Sequence, residues 1–192
     1  MNIIERIKGI LVQPKEEWKK IETETTSNST LLTAYLLPLA ILGAAAVVIG
    51  FSVIGNGTFK GGMFAGIILF LSVVISIYAG GYVTDALAPS FSSEKNLHRS
   101  MQLVIYSSTP VLLGSILYII PDLGWLGLLL GAVYSIYLLF LGLPILKKTP
   151  EDKLPLYLII ILLATGIIHY LVSYILWKLM YRVIYRAYYP GM

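Results

Sequence analysis

The sequence predicts an all-α, polytopic membrane protein with five transmembrane helices and an N-terminal amphipathic helix lying in the interface. Three observations lead there. Of the 192 residues, 57% are hydrophobic and only 12% charged, about half of the ~25% with which a soluble domain wets its surface. The charges are also segregated, with none between Thr30 and Ile54 or between Leu123 and Leu146. Five apolar runs, at 30–54, 63–86, 101–120, 123–146 and 156–177, are each close to the roughly 20 residues needed to cross a ~30 Å hydrocarbon layer. The chain divides into an interfacial segment 1–28, a five-span unit 29–177 and a basic, aromatic tail 178–192.

The N-terminal segment comes first. Ile3, Ile4, Ile7, Ile10 and Leu11 share one helical face and Pro14 ends that helix, since proline cannot continue the hydrogen-bond ladder. A second short helix, Lys15 to Ile21, presents Trp18 and Ile21. Residues 1–28 hold ten charges in equal numbers of either sign. They form neither a secretory signal nor a polybasic lipid arm, so the segment is expected in the interface or beneath the bundle.

The spans follow. The second carries Ser72, Ser76, Gly80 and Thr84 in an every-fourth row behind Gly62 and Gly66, and the fourth carries Gly127, Gly131 and Ser135. Such rows let helix backbones approach in lipid, where hydrophobic drive between helices is weak. The Pro121-Asp122-Leu123-Gly124 turn forces the third and fourth spans into an antiparallel hairpin. Pro38, Pro110 and Pro144 lie inside spans and free the carbonyls of Ala34, Tyr106 and Phe140. The hydroxyls of Ser107, Ser108 and Thr109 sit where that relief is needed. Each proline reads as a fixed kink or as a moving hinge beside a polar cavity.

The tail continues the fifth span. Lys178, Arg182 and Arg186 fall on every fourth residue beside Trp177, Tyr181, Tyr185 and Tyr188. That pattern suits the headgroup layer, as an anchor or as a site for acidic lipid or a partner. With the N-terminus inside, ten Lys and Arg residues face the cytosol and four the far side. The positive-inside bias therefore predicts a cell-membrane protein with its N-terminus cytoplasmic and its C-terminus opposite. The net charge of +4 belongs to these flanks, which removes nucleic acid as a partner. Lipid bilayer, a protein partner at the cytosolic face and a homo-oligomer remain.

Chemistry is scarce. There is no cysteine, no His-Glu-x-x-His and no Gly-rich phosphate loop, so no metal, cofactor or catalytic residue is expected. Ser115 with His169 lacks the Gly-x-Ser-Gly setting of an intramembrane serine hydrolase. Asp85 and His169 are the ionisable groups inside spans, and such groups default to functional hypotheses. Asp85 is expected to be hydrated or paired with Lys95 or Arg99. His169 shares a face with Gly166 and Ser173 and is expected to bond across helices.

The segments IYSSTPVLLGSI (105–116) and YLLFLGLPILKKTPEDK (137–153), with RIKGILVQPKEEWKKI (6–21) ahead of them, resemble the bacterial branch of the Yip family of Ypt/Rab-interacting membrane proteins. The resemblance implies five spans, a cytosolic N-terminus and a short tail on the far side. Eukaryotic relatives are adaptors for Rab-type GTPases. Their Asp-Leu-x-Gly-Pro signature is absent here, where the chain runs TSNSTLLTAYLLP, so a GTPase partner is not carried over.

Within 141–155, Gly142 and Pro144 are expected to bend the fourth span at its mouth, and Lys147 and Lys148 to anchor it at lipid phosphates. Thr149 is expected to cap a helix whose first turn holds Pro150, Glu151 and Asp152. The same loop is a candidate docking surface through Lys147, Lys148, Thr149, Glu151 and Asp152. Asp85, Tyr106, Pro110, Gly142, Pro144 and His169 are the candidate functional or packing positions. The expected function is a non-enzymatic membrane adaptor. The alternative is a small transporter, channel or lipid-handling protein that uses the kinked spans with Asp85 and His169.

Overall fold

The structure, a computed structural model, describes residues 2–55 and 57–188, with side chains described as far as residue 181. Two short helices lead in. The first, α1 (Ile3–Val12), is capped by Asn2, whose Oδ1 accepts from the Ile4 and Glu5 amides. The second, α2 (Pro14–Thr23), starts on a proline, whose missing N–H costs nothing in a first turn. Among the described residues, five helices long and apolar enough to cross a membrane follow, at Asn28–Ile54, Phe59–Phe91, Leu97–Ile119, Pro121–Leu146 and Leu154–Tyr181.

Most of these helices extend beyond the apolar runs because caps, not hydropathy, set several of their ends. The side chains of Ser27, Thr58 and Asn96 accept from the amides of Thr30, Gly61 and Arg99. Alternating crossings put α1, α2 and the links 92–96 and 147–153 on one side, the N-terminal side. Residues 57–58 and the turn at Ile120 lie on the opposite side.

Small residues set the packing. Between the first and second spans, a Cβ at Gly66 would stand 3.0 Å from the Ala44 carbonyl oxygen. In the third–fourth hairpin, one at Gly131 would stand 2.6 Å from the Pro110 carbonyl oxygen, and Gly114 and Gly127 face each other backbone to backbone. The second and fifth spans meet at Gly80, where a Cβ would lie 2.8 Å from Thr165 Cγ2.

Each proline is absorbed differently. Ahead of Pro38 the first span widens into a π turn, with the Leu37 amide bonding to the Leu32 carbonyl. At Pro110 the third span breaks. It is helical over Leu97–Ser107, resumes over Thr109–Gly114 and ends as a 3-10 turn over Ser115–Ile119. Thr109 Oγ1 donates to the freed Tyr106 carbonyl at 2.6 Å. Pro144 sits in the last turn of the fourth span.

The core is lopsided. Trp18, Tyr35, Met101, Leu103, Tyr106, Leu143 and Tyr157 are all fully buried, and they belong to the half of the bundle nearest α1 and α2. The fifth span joins this core through Leu154, Tyr157, Leu158 and Ile161. From Leu162 to Tyr181 none of its side chains is buried.

Candidate functional site

Two groups of residues stand out, one on the N-terminal side and one in a groove between the spans. On the N-terminal side, Lys147 follows the last turn of the fourth span and turns inward. Its ammonium donates to Asp85 Oδ1 at 3.2 Å, Ser100 Oγ at 2.7 Å and the Asn96 carbonyl at 3.2 Å, and its side chain is 0% exposed. Three acceptors for three N–H bonds are what a buried ammonium requires. Burial pulls the Lys147 pKa below its ordinary value, and the bond to Asp85 opposes that shift without reversing it.

Two sequence expectations are corrected here. Asp85 pairs with Lys147, not with Lys95 or Arg99. Arg99 instead donates to the Ile21 and Glu24 carbonyls and to Gln102 Oε1, which leaves the carboxylate to the helix end opposite. Lys147 is buried at this junction and is not at the lipid phosphates.

Thr149 also departs from expectation. It caps no helix, because the fifth span starts at Leu154 after a turn closed by the Lys153 and Leu154 amides on the Pro150 carbonyl. Its hydroxyl donates to the Leu143 carbonyl at 3.2 Å and accepts from Ser93 Oγ at 2.9 Å. With the Glu94 amide on the Lys147 carbonyl at 2.7 Å, this ties link 147–153 to link 92–96. Lys148 is exposed and pairs with Glu22 of α2. Glu151 and Asp152 are exposed.

Beside this junction, Arg6 of α1 is buried between Glu17, at 2.5 Å, and Glu24. Burial opposes its charge, but the bond to Glu24 and the nearby carboxylates raise its pKa above the ordinary value. The guanidinium lies 5.2 Å from the Tyr106 ring centroid, within cation–π range. Tyr106 packs edge-on to Tyr35 at 4.9 Å, and the Tyr35 hydroxyl pairs with Thr109 Oγ1 at 2.7 Å. A contact chain thus runs from the Arg6 ion pairs to the break at Pro110. Gly142 makes room for Trp18 of α2, since a Cβ there would be 2.9 Å from the indole Cε2.

From the middle of the bundle towards the end away from α1 and α2, a groove of about 950 Å³ opens between the helices, lined by residues of all five spans. Its lining is mostly apolar, with hydroxyls from Ser72, Ser76, Ser107, Ser135 and Thr165. His169 lines it with Gly166 and Ser173. Towards the far end of the fifth span, Lys178 lies 4.6 Å from the Tyr174 ring centroid, and Trp177 stacks on Tyr181 at 5.3 Å. The Arg182, Tyr185, Arg186 and Tyr188 side chains, where the stripe continues, lie outside the described residues. Among the described residues, no group of three His, Asp or Glu side chains could hold a metal ion.

Sequence reasoning singled out Asp85, Lys147 and Tyr106 but missed Arg6, Glu17, Glu24, Tyr35 and Ser100. The one available signal was a charged residue on the apolar face of α1, where Arg6 stands between Ile3 and Ile10.

The family model described as the Yip1 domain matches residues 8–173 of this chain. No curated protein and no solved structure matches it.

Proposed function

The chain belongs to the Yip1-domain family and is an integral membrane protein of that family, and on that premise we propose that it is a non-enzymatic adaptor holding a protein partner at its N-terminal side. In this reading the N-terminal side is cytoplasmic, the membrane is the cell membrane and the C-terminus lies opposite, as the distribution of Lys and Arg suggests. The observation that carries the proposal is the bracing of that side. Lys148–Glu22, Arg99 on the Ile21 and Glu24 carbonyls, and Ser93–Thr149 join α2 and the two links into one platform.

Bracing matters because binding costs less when the surface is already ordered. The exposed groups of the platform, Glu16, Lys19, Lys20, Glu151, Asp152 and Lys153, mix both signs. Mixed charge suits a protein segment of complementary pattern better than a uniformly anionic lipid surface. In this proposal Lys147 and Thr149 hold the loop, while Lys148, Glu151 and Asp152 meet the partner. A second copy of the chain is one such partner.

The test is extraction with the native lipid patch followed by mass spectrometry of what travels with the protein. A stoichiometric partner is expected, and it should be lost on combined Glu151→Lys and Asp152→Lys substitution with the thermal midpoint unchanged. An identical partner set for the variant, or no protein partner for either form, overturns the reading.

A further inference from the structure

Rows of small residues usually mark helix contacts, and the second span uses its row that way only at the two ends. Gly62 and Gly66 meet the first span, and Gly80 meets Thr165 of the fifth. Between these contacts, Ser72 and Ser76 line the groove instead. Ser107 and Ser135 line it from the third and fourth spans, and each of these serines falls near the middle of its span. Ser76 is 5% exposed and Ser107 1% exposed. Their hydroxyl oxygens, like that of Ser135, have no hydrogen-bond partner.

An unpaired hydroxyl is costly where no water reaches it. Three of them beside one cavity call for an occupant that brings its own oxygen. Among the described residues no Asp, Glu, Lys or Arg lines the groove, and His169 is the one basic side chain there, so no carboxylate, ammonium or guanidinium in the described lining would balance a charged headgroup. A helix from a second copy has its backbone already satisfied and could pair these serines only through its own polar side chains. The volume, about 950 Å³, is near the upper end of the ~300–1,000 Å³ seen for small-molecule sites. Entry is lateral, because the fifth span leaves the core after Ile161. At Gly166 an added Cβ would meet nothing within 4 Å.

We propose that this groove is a binding site for an uncharged membrane lipid whose hydroxyl or ester oxygens pair with Ser76, Ser107 and Ser135. Diacylglycerol represents the class. It has two apolar chains, ester carbonyls that accept, a free hydroxyl that does both, and no charge to desolvate.

The test uses the full chain in detergent and native mass spectrometry, with dioleoylglycerol and dioleoylphosphatidylglycerol as probes. A one-to-one adduct is expected with dioleoylglycerol and not with the anionic lipid. Gly166→Phe places a ring in open space within the groove and should abolish the adduct without lowering the thermal midpoint. Should that variant fail to fold, Ser76→Ala with Ser107→Ala preserves the space and should weaken binding about tenfold or more, the loss of two neutral hydrogen bonds. Equal adducts with both lipids, no adduct with either, or binding unchanged in the folded variants overturns the proposal. So does a dimer that Gly166→Phe dissociates, which would give the groove to a second copy.

Discussion

Lys147 shows how a single residue can be misread from its neighbours. In the sequence it heads a Lys-Lys pair flanking an apolar run, the usual place for a lipid-phosphate anchor. In the fold it points inward while Lys148, one residue on, stays exposed. The partner, Asp85, lies 62 positions away, beyond any local pattern, which is why nearby Lys95 and Arg99 looked like its mates. Breaking a buried pair leaves an uncompensated charge. Asp85→Ala should therefore destabilise the protein by about 3 kcal/mol, read as a lower thermal midpoint in detergent. Combining it with Lys147→Met should recover most of that loss, because no buried ammonium remains. The pH dependence follows from burial. The Lys147 pKa is lower folded than its ordinary 10.5, so in the window just below 10.5 the unfolded chain binds the extra proton. Stability should then rise with pH through that window. Lys147→Met should flatten this rise when thermal midpoints are compared from neutrality to pH 10.5.

At the scale of the helix, what could be read was the spacing, and what could not was its use. The Gly114, Gly127 and Gly131 contacts of the third–fourth hairpin follow from small residues facing each other across a short turn. The second span repeats the same spacing, yet its middle serves a cavity, and period alone cannot separate the two. Gly131→Leu should split the hairpin, because its Cβ would fall 2.6 Å from a backbone oxygen that cannot move aside. Loss of the monodisperse folded species in size-exclusion chromatography would register it. The Pro110 break was legible as a position, and its relief by Thr109 could be inferred from the adjacent hydroxyls. Tyr35, on another helix, could not. Thr109→Val removes a bond to the Tyr106 carbonyl and one with Tyr35, and should cost about 1–3 kcal/mol. Tyr35→Phe in the same background should add little, a coupling that a double-mutant cycle of unfolding midpoints measures.

For the whole molecule, five spans were legible because hydropathy and helix length are properties of each segment alone. The lopsided core was not, because it depends on which segments meet. An odd number of crossings predicts that reporters fused at residue 1 and after residue 192 will lie on opposite sides of the membrane. The positive-inside bias predicts that the first lies in the cytoplasm. Equal accessibility of both ends to an impermeant label would contradict the odd count. The platform also has a consequence in time. Glu22 meets Lys148 and Leu11 meets Tyr134, contacts separated by 126 and 123 positions. Polymerised at ~5–20 residues per second, α1 and α2 leave the ribosome roughly 6–25 s before those partners exist. During that interval the first two helices have only part of their bundle to cover, and the rest of their apolar faces must shelter at the membrane surface. Docking them fully therefore waits for the fourth span, and a nascent chain arrested before that span would carry α1 and α2 without these two contacts.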